Sequence, residues 1–385
     1  MTRTESPRTD LGIALDYYSP YVSGLTEVAR VVAEGLAGRG WRVEVVCGAH
    51  DRSLPAREVL NGVTVQRASV VGRAGKALVQ PAFPLRVAQL ARRSSVVNLH
   101  LPLPEGLAAP LWRSAPLVAT YQCDAWFTPG PLGQVQRIAL DAASRAVLRR
   151  SRAVIVTSED YLQSSRIRSA VTGDIVAIPP PVRDRPGGTP RFRRSPGAHI
   201  GFLGRIVEEK GLEPLVQAVR GIDDPDLRLL IAGGYDQVAG GSVVDRVRSA
   251  IGGDPRIELL GFLPDEDVAD FLASLDVFAL PSVNSLEAFG IVQVEAMLAG
   301  VPVVASDLPG VRLPVQELGI GRLAPPGDVA GLRAALVGQL GTAVDRDELS
   351  RRTRQRYGQD RCLDAYAEVL EAAMSARRSP GGTGR

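Results

Sequence analysis

Two glutamates frame the predicted start of an apolar helix in the segment SLEAFGIVQVE, residues 285–295. The helix is expected to begin at about Phe289. Free backbone N–H groups at a helix start attract a nearby anion, so Glu287 could act as a capping residue. Glu295 falls among apolar neighbours inside the helix, where a carboxylate is unfavourable without a partner. We therefore expect Glu295 to bind a polar ligand, and the two hydroxyls of a ribose would suit it.

Two cations lie in the segment GRIVEEKG, which follows a strand predicted over 199–203. Gly204 permits a tight exit from the strand, and a helix is predicted to begin directly after the segment. The positive end of a helix dipole favours anions, and Arg205 and Lys210 add formal charge, so this pattern predicts a diphosphate site. Lys210 is one of two lysines in a chain whose other cationic side chains are arginines. The alternative is a solvated turn in which Lys210 opposes a neighbouring glutamate.

Composition places the chain among globular proteins long enough for two domains. Of the 385 residues, 45% are apolar and 23% are charged, which is enough apolar material for two cores. The formal net charge of +3 is too small to indicate a nucleic-acid partner. The three cysteines are scattered, as expected in a reducing compartment. Neither a membrane span nor a signal peptide is predicted, so we expect a cytoplasmic protein.

Apolar, β-branched runs alternate with helical stretches along the whole chain. Such runs are typical of strands that are buried on both faces of a parallel sheet. The strands are predicted over 11–16, 43–47, 95–101, 116–121 and 153–157 in the first half, and over 199–203, 227–232, 256–260, 276–280 and 302–305 in the second. This alternation predicts two doubly wound α/β domains. Ligands of such sheets bind outside the carboxyl ends of the strands, where the cations and glutamates lie.

The pattern is interrupted at 183–197, RDRPGGTPRFRRSPG, where proline, glycine and arginine dominate. We predict that this segment is a linker between two domains. The predicted boundaries are 11–182 for the first domain, 198–357 for the second and 358–376 for a C-terminal helix that packs back on the first. Residues 1–10 and 377–385 are expected to be disordered tails.

These segments together resemble family-4 glycosyltransferases of the GT-B architecture. The second half carries GRIVEEKG, LLIAGG, LLGFLPDED and FALPSVNSLEAFGIVQVEAMLAGVPVVASDLPG in the order found in that family. The first half adds YVSGLTEVARVVAEGLAGRGWRVEVV, LHLPLPEG and ATYQCD. The resemblance covers about residues 11–376. It implies two Rossmann-like doubly wound domains facing each other across a cleft, the first binding the acceptor and the second the nucleotide sugar.

The resemblance further implies a retaining transfer of a sugar from a UDP- or GDP-sugar, with no metal and no other cofactor. Arg205 and Lys210 would hold the diphosphate, and Glu287 would grip the donor sugar, so these three are the predicted catalytic residues. Glu295 would bind the ribose. The other predicted donor contacts are Gly24, Gly204, Gly261, Phe262, Phe289, Gly290 and Ile291.

One position departs from the family pattern. Many members carry a histidine in the stretch that corresponds to TYQCD, whereas this chain has Gln122. Glutamine forms hydrogen bonds but cannot act as a general base at neutral pH. In a retaining front-face mechanism the leaving phosphate can take the acceptor proton, so activity need not be lost. Gln122, His100 and Asp124 are the candidate acceptor-side residues, and a purely structural role is the alternative for His100.

The acceptor is less well defined by the sequence than the donor. The segment 134–152 is predicted to be helical, with five arginines and an apolar side, and could lie on an anionic membrane. An ordinary surface helix is the alternative. Aromatic residues near predicted strand ends could line the acceptor pocket. They are Tyr17, Tyr18, Tyr21, Trp126 and Phe127.

Three functional hypotheses follow. The first is a hexosyltransferase that builds a cell-envelope glycan, an exopolysaccharide or a glycolipid, in peripheral contact with the inner face of the membrane. The second is a glycosyltransferase that modifies a soluble small molecule, such as an antibiotic. The third, from another class of protein, is an inactive module that binds a nucleotide sugar.

Overall fold

The computed structural model describes residues 9–74, 77–125, 127, 130–234 and 242–375. The chain forms two compact units. The first comprises the residues up to Pro181 together with those from Cys362 onwards, and the second comprises Val182–Arg361. Each unit is built around its own parallel sheet.

The first unit contains strands β1 (Thr9–Ala14), β2 (Val43–Gly48), β3 (Arg57–Leu60), β4 (Val63–Ala68), β5 (Gly72–Ala74), β6 (Ala77–Val79), β7 (Ser94–Leu101), β8 (Leu117–Tyr121), β9 (Ala153–Val156) and β10 (Asp174–Ala177). Its helices are α1 (Gly24–Gly38), α2 (Phe83–Arg93), α3 (Pro131–Leu148) and α4 (Glu159–Ser164). Short 3-10 helices span Pro104–Leu111 and Arg168–Ala170.

The large sheet of this unit has the strand order β10-β9-β8-β7-β1-β2-β4-β3 over the described residues. All neighbours are parallel except β3, which runs antiparallel to β4 at the edge. The strand order reverses between β1 and β7. After β1 the chain adds strands toward one edge of the sheet, and after β7 it adds them toward the other edge. A crevice opens at such a reversal, at the carboxyl ends of the strands. Ser23 caps α1 in a capping box with Thr26, which fixes the turn that follows β1.

The second unit contains strands β11 (His199–Leu203), β12 (Arg228–Ala232), β13 (Ile257–Gly261), β14 (Val277–Leu280), β15 (Val303–Ser306) and β16 (Arg322–Ala324). Its helices are α5 (Leu212–Arg220), α6 (Val244–Ile251), α7 (Val268–Ala273), α8 (Ile291–Leu298), α9 (Leu313–Leu318), α10 (Val329–Leu340) and α11 (Arg346–Tyr357). The 3-10 helices span Glu208–Lys210 and Asp265–Asp267, and the last helix, α12 (Gln359–Ser375), continues into the first unit.

The second sheet has the order β13-β12-β11-β14-β15-β16, and its described strands are all parallel. The order reverses between β11 and β14. Apolar side chains from both faces of the sheet, such as Phe202 and Phe278, are fully buried. The segments that follow β11 and β14 therefore meet at the ligand-binding crevice expected of this topology.

All ten predicted strands are present, with ends that lie within two residues of the predicted ones. The strands that the sequence did not predict are short or lie near an edge, and they are β3, β4, β5, β6, β10 and β16. In β3 exposed residues alternate with half-buried ones, so no continuous apolar run marks it. The helix predicted over 134–152 begins earlier, because Pro131 occupies its first turn, and it ends at Leu148.

The segment 183–197, predicted to be a linker, belongs to the second unit. Arg191 pairs with Asp267 and Asp270, and the Phe192 ring packs edge-on against Phe271 at 6.0 Å between centroids. Arginines that seemed to mark a solvated linker thus anchor the segment on the unit. Among the predicted tail residues, Thr9 and Asp10 lie in β1, which corrects the predicted start, and 1–8 and 377–385 lie outside the described residues.

Helix α12 packs on the first unit. A Cβ atom at Gly35 of α1 would lie 2.5 Å from the Leu363 side chain, and Arg39 pairs with Asp364 at 2.6 Å. No helix in the described residues is long and apolar enough to cross a membrane.

Candidate active site

The structure brings two of the predicted catalytic residues into direct contact. The Lys210 ammonium donates a hydrogen bond to Oε2 of Glu287, although the two residues are 77 positions apart. Ser282 Oγ donates to the same carboxylate oxygen at 3.3 Å. Both side chains of the pair are largely buried, at 15% and 12% exposure. An ammonium and a carboxylate therefore lie together at the reversal point of the second sheet.

The loops that carry this pair are fixed to one another. The Val283 N–H donates to the Glu209 carbonyl at 2.9 Å, which joins the segment after β14 to the segment after β11. Gly211 has a φ of +65°, and a Cβ atom there would lie 2.0 Å from the Pro281 carbonyl oxygen. Only glycine can meet both conditions. Because α5 begins directly after Gly211, its first N–H groups lie next to Lys210.

Arg205 lies on the same edge but is more exposed. Its guanidinium contacts Glu209 Oε1 at 3.3 Å, and 48% of its side chain is accessible. Gly204 and Gly261 stand at the ends of their strands, where backbone hydrogen bonds link Gly204 N to the Ala232 carbonyl and Gly233 N to the Gly261 carbonyl. The predicted donor contacts Gly204, Arg205 and Gly261 therefore lie on one edge of the sheet.

Helix α8 begins at Ile291, two residues later than predicted. The reason is Gly290, whose φ of +78° is left-handed, and where a Cβ atom would lie 2.3 Å from Leu280 Cδ2. Phe289 is buried against Tyr357, with ring centroids 5.8 Å apart. Any contact that it makes with a donor must therefore come from its backbone. Phe262, by contrast, is 77% exposed after β13, an unusual position for a large aromatic side chain.

Glu295 has a cationic neighbour that the sequence did not predict. Arg185 Nε lies 3.9 Å from Glu295 Oε1, and both side chains are 14% exposed. The same guanidinium pairs with Asp265 Oδ1 at 2.7 Å. The Arg185 hydrogen bond, together with the charges of Arg185 and Arg183, holds the pKa of Asp265 below its usual value, and burial opposes this shift only in part. Arg185 was missed because it lies in the segment that the sequence predicts to be a linker.

In the first unit, Gln122 follows β8 and its amide is fixed by two acceptors. Gln122 Nε2 donates to the Leu25 carbonyl and lies near His100 Nδ1, at 3.2 Å in each case. Because the Leu25 carbonyl can only accept, the atom facing it must be the amide nitrogen, and His100 Nδ1 must be the unprotonated acceptor. Gly24, next to Leu25, starts α1 and has open space around it.

His100 is fully buried, and burial lowers its pKa to about 3. The imidazole is therefore neutral at physiological pH and acts as a hydrogen-bond acceptor behind Gln122. This placement favours the structural alternative for His100 over direct contact with the acceptor. Its proton is then on Nε2, which has no hydrogen-bond partner among the described residues.

The Asp124 carboxylate is engaged within the protein. Tyr121 and Ser165 donate to its Oδ1, and the Arg166 guanidinium lies 3.5 Å from its Oδ2. The Tyr161 hydroxyl accepts the Asp124 N–H at 2.9 Å. Asp124 thus fixes the segment after β8 to the segment after α4.

The aromatic residues after β1 divide into two groups. The Tyr17 and Tyr21 rings lie 4.4 Å apart, and both lie within 6 Å of the His50 ring, at 5.9 and 5.5 Å. Tyr18 is fully buried, so the prediction that it lines an acceptor pocket is wrong. Phe127 is half-buried, and Trp126 lies outside the described residues.

Two carboxyl groups that the sequence did not single out meet near the reversal point of the first sheet. Gln80 Nε2 donates to Asp16 Oδ1 at 2.5 Å and to Glu105 Oε1 at 3.4 Å. Burial raises the pKa of both Asp16 and Glu105 to about 7, and Asp16 adds to the effect on Glu105. Within the described residues, no cluster of three or more His, Cys, Asp or Glu side chains is arranged to hold a metal ion.

Comparison with known proteins assigns the sequence to one class of enzyme. Residues 23–181 match the family model of the glycosyl transferase 4-like domain, and residues 197–341 match that of glycosyl transferases group 1. The phosphatidyl-myo-inositol mannosyltransferase of Mycobacterium leprae is 30% identical over 349 residues, 88% of this chain and 89% of the relative. Both halves of the chain thus match sugar-transferring enzymes, in agreement with the two doubly wound units. The chain belongs to this family of glycosyltransferases, and it has the GT-B fold.

A second relative is named for a different acceptor, and solved structures share the fold. The 2-deoxystreptamine N-acetyl-D-glucosaminyltransferase of Streptomyces fradiae is 30% identical over 312 residues, 72% of this chain and 70% of the relative. The sucrose-phosphate synthase of Thermosynechococcus elongatus superposes with a TM-score of 0.75 at 20% identity, over 96% of this chain and all of that one. Anabaena HepE, solved with UDP-glucose, gives a TM-score of 0.71 at 20% identity, over 94% and 99% of the two chains. These superpositions agree with the fold predicted from the sequence.

Proposed function

We propose that this enzyme transfers a sugar, with retention of configuration, from a nucleoside diphosphate sugar to an acceptor. The observation that supports it best is the contact between Lys210 and Glu287 at the carboxyl ends of β11 and β14. The two groups have opposite charges, and each suits a different part of such a donor. The ammonium and the start of α5 suit the diphosphate, and the carboxylate suits the sugar hydroxyls.

The chemistry follows from these charges. As the bond between sugar and diphosphate breaks, negative charge grows on the leaving phosphate, where Arg205 and Lys210 stabilise it. Glu287 holds the sugar hydroxyls and stabilises positive charge on the ring. Gln122 cannot take a proton, so the acceptor hydroxyl passes its proton to the leaving phosphate on the same face of the sugar. Two cations meet the diphosphate charge, and we propose that no metal is required.

Product analysis tests this proposal. Purified enzyme is incubated with UDP- and GDP-sugars, and the anomeric configuration of transferred or hydrolysed sugar is followed by NMR. We expect retention, insensitivity to EDTA and a loss of turnover in Lys210→Ala. Inversion of configuration, or full activity in both Lys210→Ala and Glu287→Ala, would overturn the proposal.

We further propose that the acceptor is a glycolipid precursor at an anionic membrane. Helix α3 presents an apolar stripe to solvent, made of Leu132, Val135 and Ile138, which are 72%, 64% and 55% exposed. The 3-10 helix Pro104–Leu111 packs against α3 and adds Leu107 and Leu111, which are 61% and 69% exposed. Clustered exposure of large apolar side chains marks an interaction surface. The mannosyltransferase relative, which the chain matches along most of its length, is named for a lipid acceptor.

The charges around the α3 stripe suit a bilayer better than a second protein copy. Over residues 104–152 the exposed charged side chains are all arginines, at positions 113, 149, 150 and 152. The acidic residues of this stretch are not exposed. Exposed apolar side chains and exposed arginines on the same stretch of chain favour the interface of anionic lipids, where each basic residue adds about 1 kcal/mol.

Vesicle flotation tests the membrane contact. The wild type should float with vesicles that contain phosphatidylglycerol, and less so with phosphatidylcholine alone or at high salt. A Leu132→Ser, Val135→Ser, Ile138→Ser variant should lose most of the binding, whereas Val337→Ser, at a site 49% exposed on α10, should not. Unchanged flotation of the triple variant, or dimerisation through the stripe in light scattering, would contradict the proposal.

A soluble aminocyclitol is the second candidate acceptor. The carboxyl groups of Asp16 and Glu105 near the reversal point of the first sheet favour a cationic ring over a phosphorylated one. Two relatives are named for 2-deoxystreptamine. Parallel turnover assays with phosphatidylinositol and with 2-deoxystreptamine separate the two candidates.

A further inference from the structure

Arg185 lies where two predicted parts of the nucleotide site meet. Its side chain is 14% exposed and reaches toward a carboxylate on each of two different elements. Guanidinium nitrogens contact Asp265, through Oδ1 at 2.7 Å and the carbonyl at 3.3 Å. The Nε atom faces Glu295 on α8 at 3.9 Å. One planar cation thus joins the loop after β13 to the helix that carries Glu295.

We propose that Arg185 is a positioning residue for the nucleoside half of the donor. This inference rests on the proposed function, and it extends that function by placing the ribose at Glu295 and the base at Gly261 and Phe262, the donor contacts that the family resemblance implies in the loop after β13. Arg185 holds that loop through Asp265 and sets the electrostatic potential at Glu295. A guanidinium suits this task, because its rigid fork spans two partners that a lysine ammonium cannot satisfy together.

The geometry indicates that Arg185 supports the ligand site and does not simply stabilise the fold of the second unit. At 3.9 Å the contact with Glu295 is too long for a hydrogen bond, and Arg185 Nε has no hydrogen-bond partner among the described residues. Arg185 therefore attracts Glu295 without closing a two-bond pair with it.

Arg183 supplies a matched control. It pairs with the same Asp265, at 2.6 Å, but 58% of its side chain is exposed. Exposed pairs of this kind contribute little. Replacing Arg183 removes one of the two cations that pair with Asp265. Replacing Arg185 removes the other one and also removes the cation beside Glu295.

Calorimetric titration of the full-length protein with UDP and GDP, together with inhibition by pyrophosphate, tests the proposal. Arg185→Met should weaken binding of the preferred nucleoside diphosphate roughly tenfold, as expected when one charge-assisted contact of a site is lost. Inhibition by pyrophosphate, which has no nucleoside, should be unchanged. Arg183→Met should bind like the wild type, and Arg185→Lys should fall near Arg185→Met.

The outcomes separate this inference from the proposed function. If the wild type binds neither nucleotide, the proposed function fails, and the inference fails with it. If Glu295→Ala weakens nucleotide binding but Arg185→Met does not, only the positioning role is wrong. Equal weakening of nucleotide and pyrophosphate in Arg185→Met, or the same loss in Arg183→Met, also overturns it, since either result indicates a general change in the unit.

Discussion

Lys210 and Glu287 are bound to one another at the point where the strand order of the second sheet reverses. The sequence assigns one of them to a phosphate and the other to a sugar, yet the protein pairs them directly. Under the proposed function, a nucleotide sugar must therefore compete with an existing ion pair. The pair keeps both charges in place when no substrate is bound.

Separate measurements of stability and activity test the two roles of this pair. Lys210→Met should lower turnover by about 10²–10³-fold, the usual loss for one preorganised charge in a transition state. It should also destabilise the protein by about 1–3 kcal/mol, because Glu287 is left largely buried without its cation. Steady-state kinetics and urea denaturation measure the two effects.

The double variant Lys210→Met, Glu287→Gln is the control. It removes both charges, so the free energy of unfolding should recover most of the loss while turnover stays low. A double variant as unstable as Lys210→Met alone would show that the ion pair is not the source of the destabilisation.

Gly290→Ala should be more harmful than the same change at another left-handed glycine. At Gly290 the new methyl group would lie 2.3 Å from Leu280, and φ is +78°. At Gly319, with φ +64°, there is open space. We expect about 1 kcal/mol of backbone strain at Gly319 and a further 1–3 kcal/mol of overlap at Gly290. Urea midpoints measure the difference, and equal losses at both sites would contradict this account.

The pH dependence of activity should not depend on His100. Burial lowers its pKa to about 3, so the ring stays neutral from pH 5 to 9. His100→Gln keeps an acceptor for the Gln122 amide, and its profile of kcat/KM against pH should keep the wild-type shape. Gln122→Glu should instead lose activity as the new carboxyl ionises against the Leu25 carbonyl. A limb of the profile that disappears in His100→Gln would assign a proton-transfer role to this histidine.

Stability should fall as pH rises through neutrality, in part because of Glu105. Burial raises its pKa from 4.5 to about 7, so the folded protein retains a proton that the unfolded chain has already lost. This contribution is fully present below about pH 4.5 and is lost as the pH rises through 7. Glu105→Gln should therefore gain melting temperature relative to the wild type at pH 8, with little gain at pH 4. Asp245→Asn, at a carboxylate 92% exposed, serves as the control and should show no such trend.

The sequence predicted most of the fold because burial leaves a local signal. Strands covered on both faces are continuous apolar runs, and all ten of those predicted are present. Glu295 was correctly marked as a carboxylate inside an apolar helix. The polar edge strand β3 gave no such signal. Tyr18 was misplaced because its position after a strand does not reveal whether the ring points into the core.

What the sequence determined by itself is the set of ten apolar strands in the two sheets, the residues at their carboxyl ends and the family to which the chain belongs. The tertiary structure alone decided which of those ends meet. Lys210 contacts Glu287, and His100 is buried behind Gln122. Arg185, in the segment predicted to be a linker, contacts Glu295. The physical reason is that periodicity along a chain records which side chains are buried. Pairing depends instead on the order of strands in the sheet, which near-identical apolar strands do not specify.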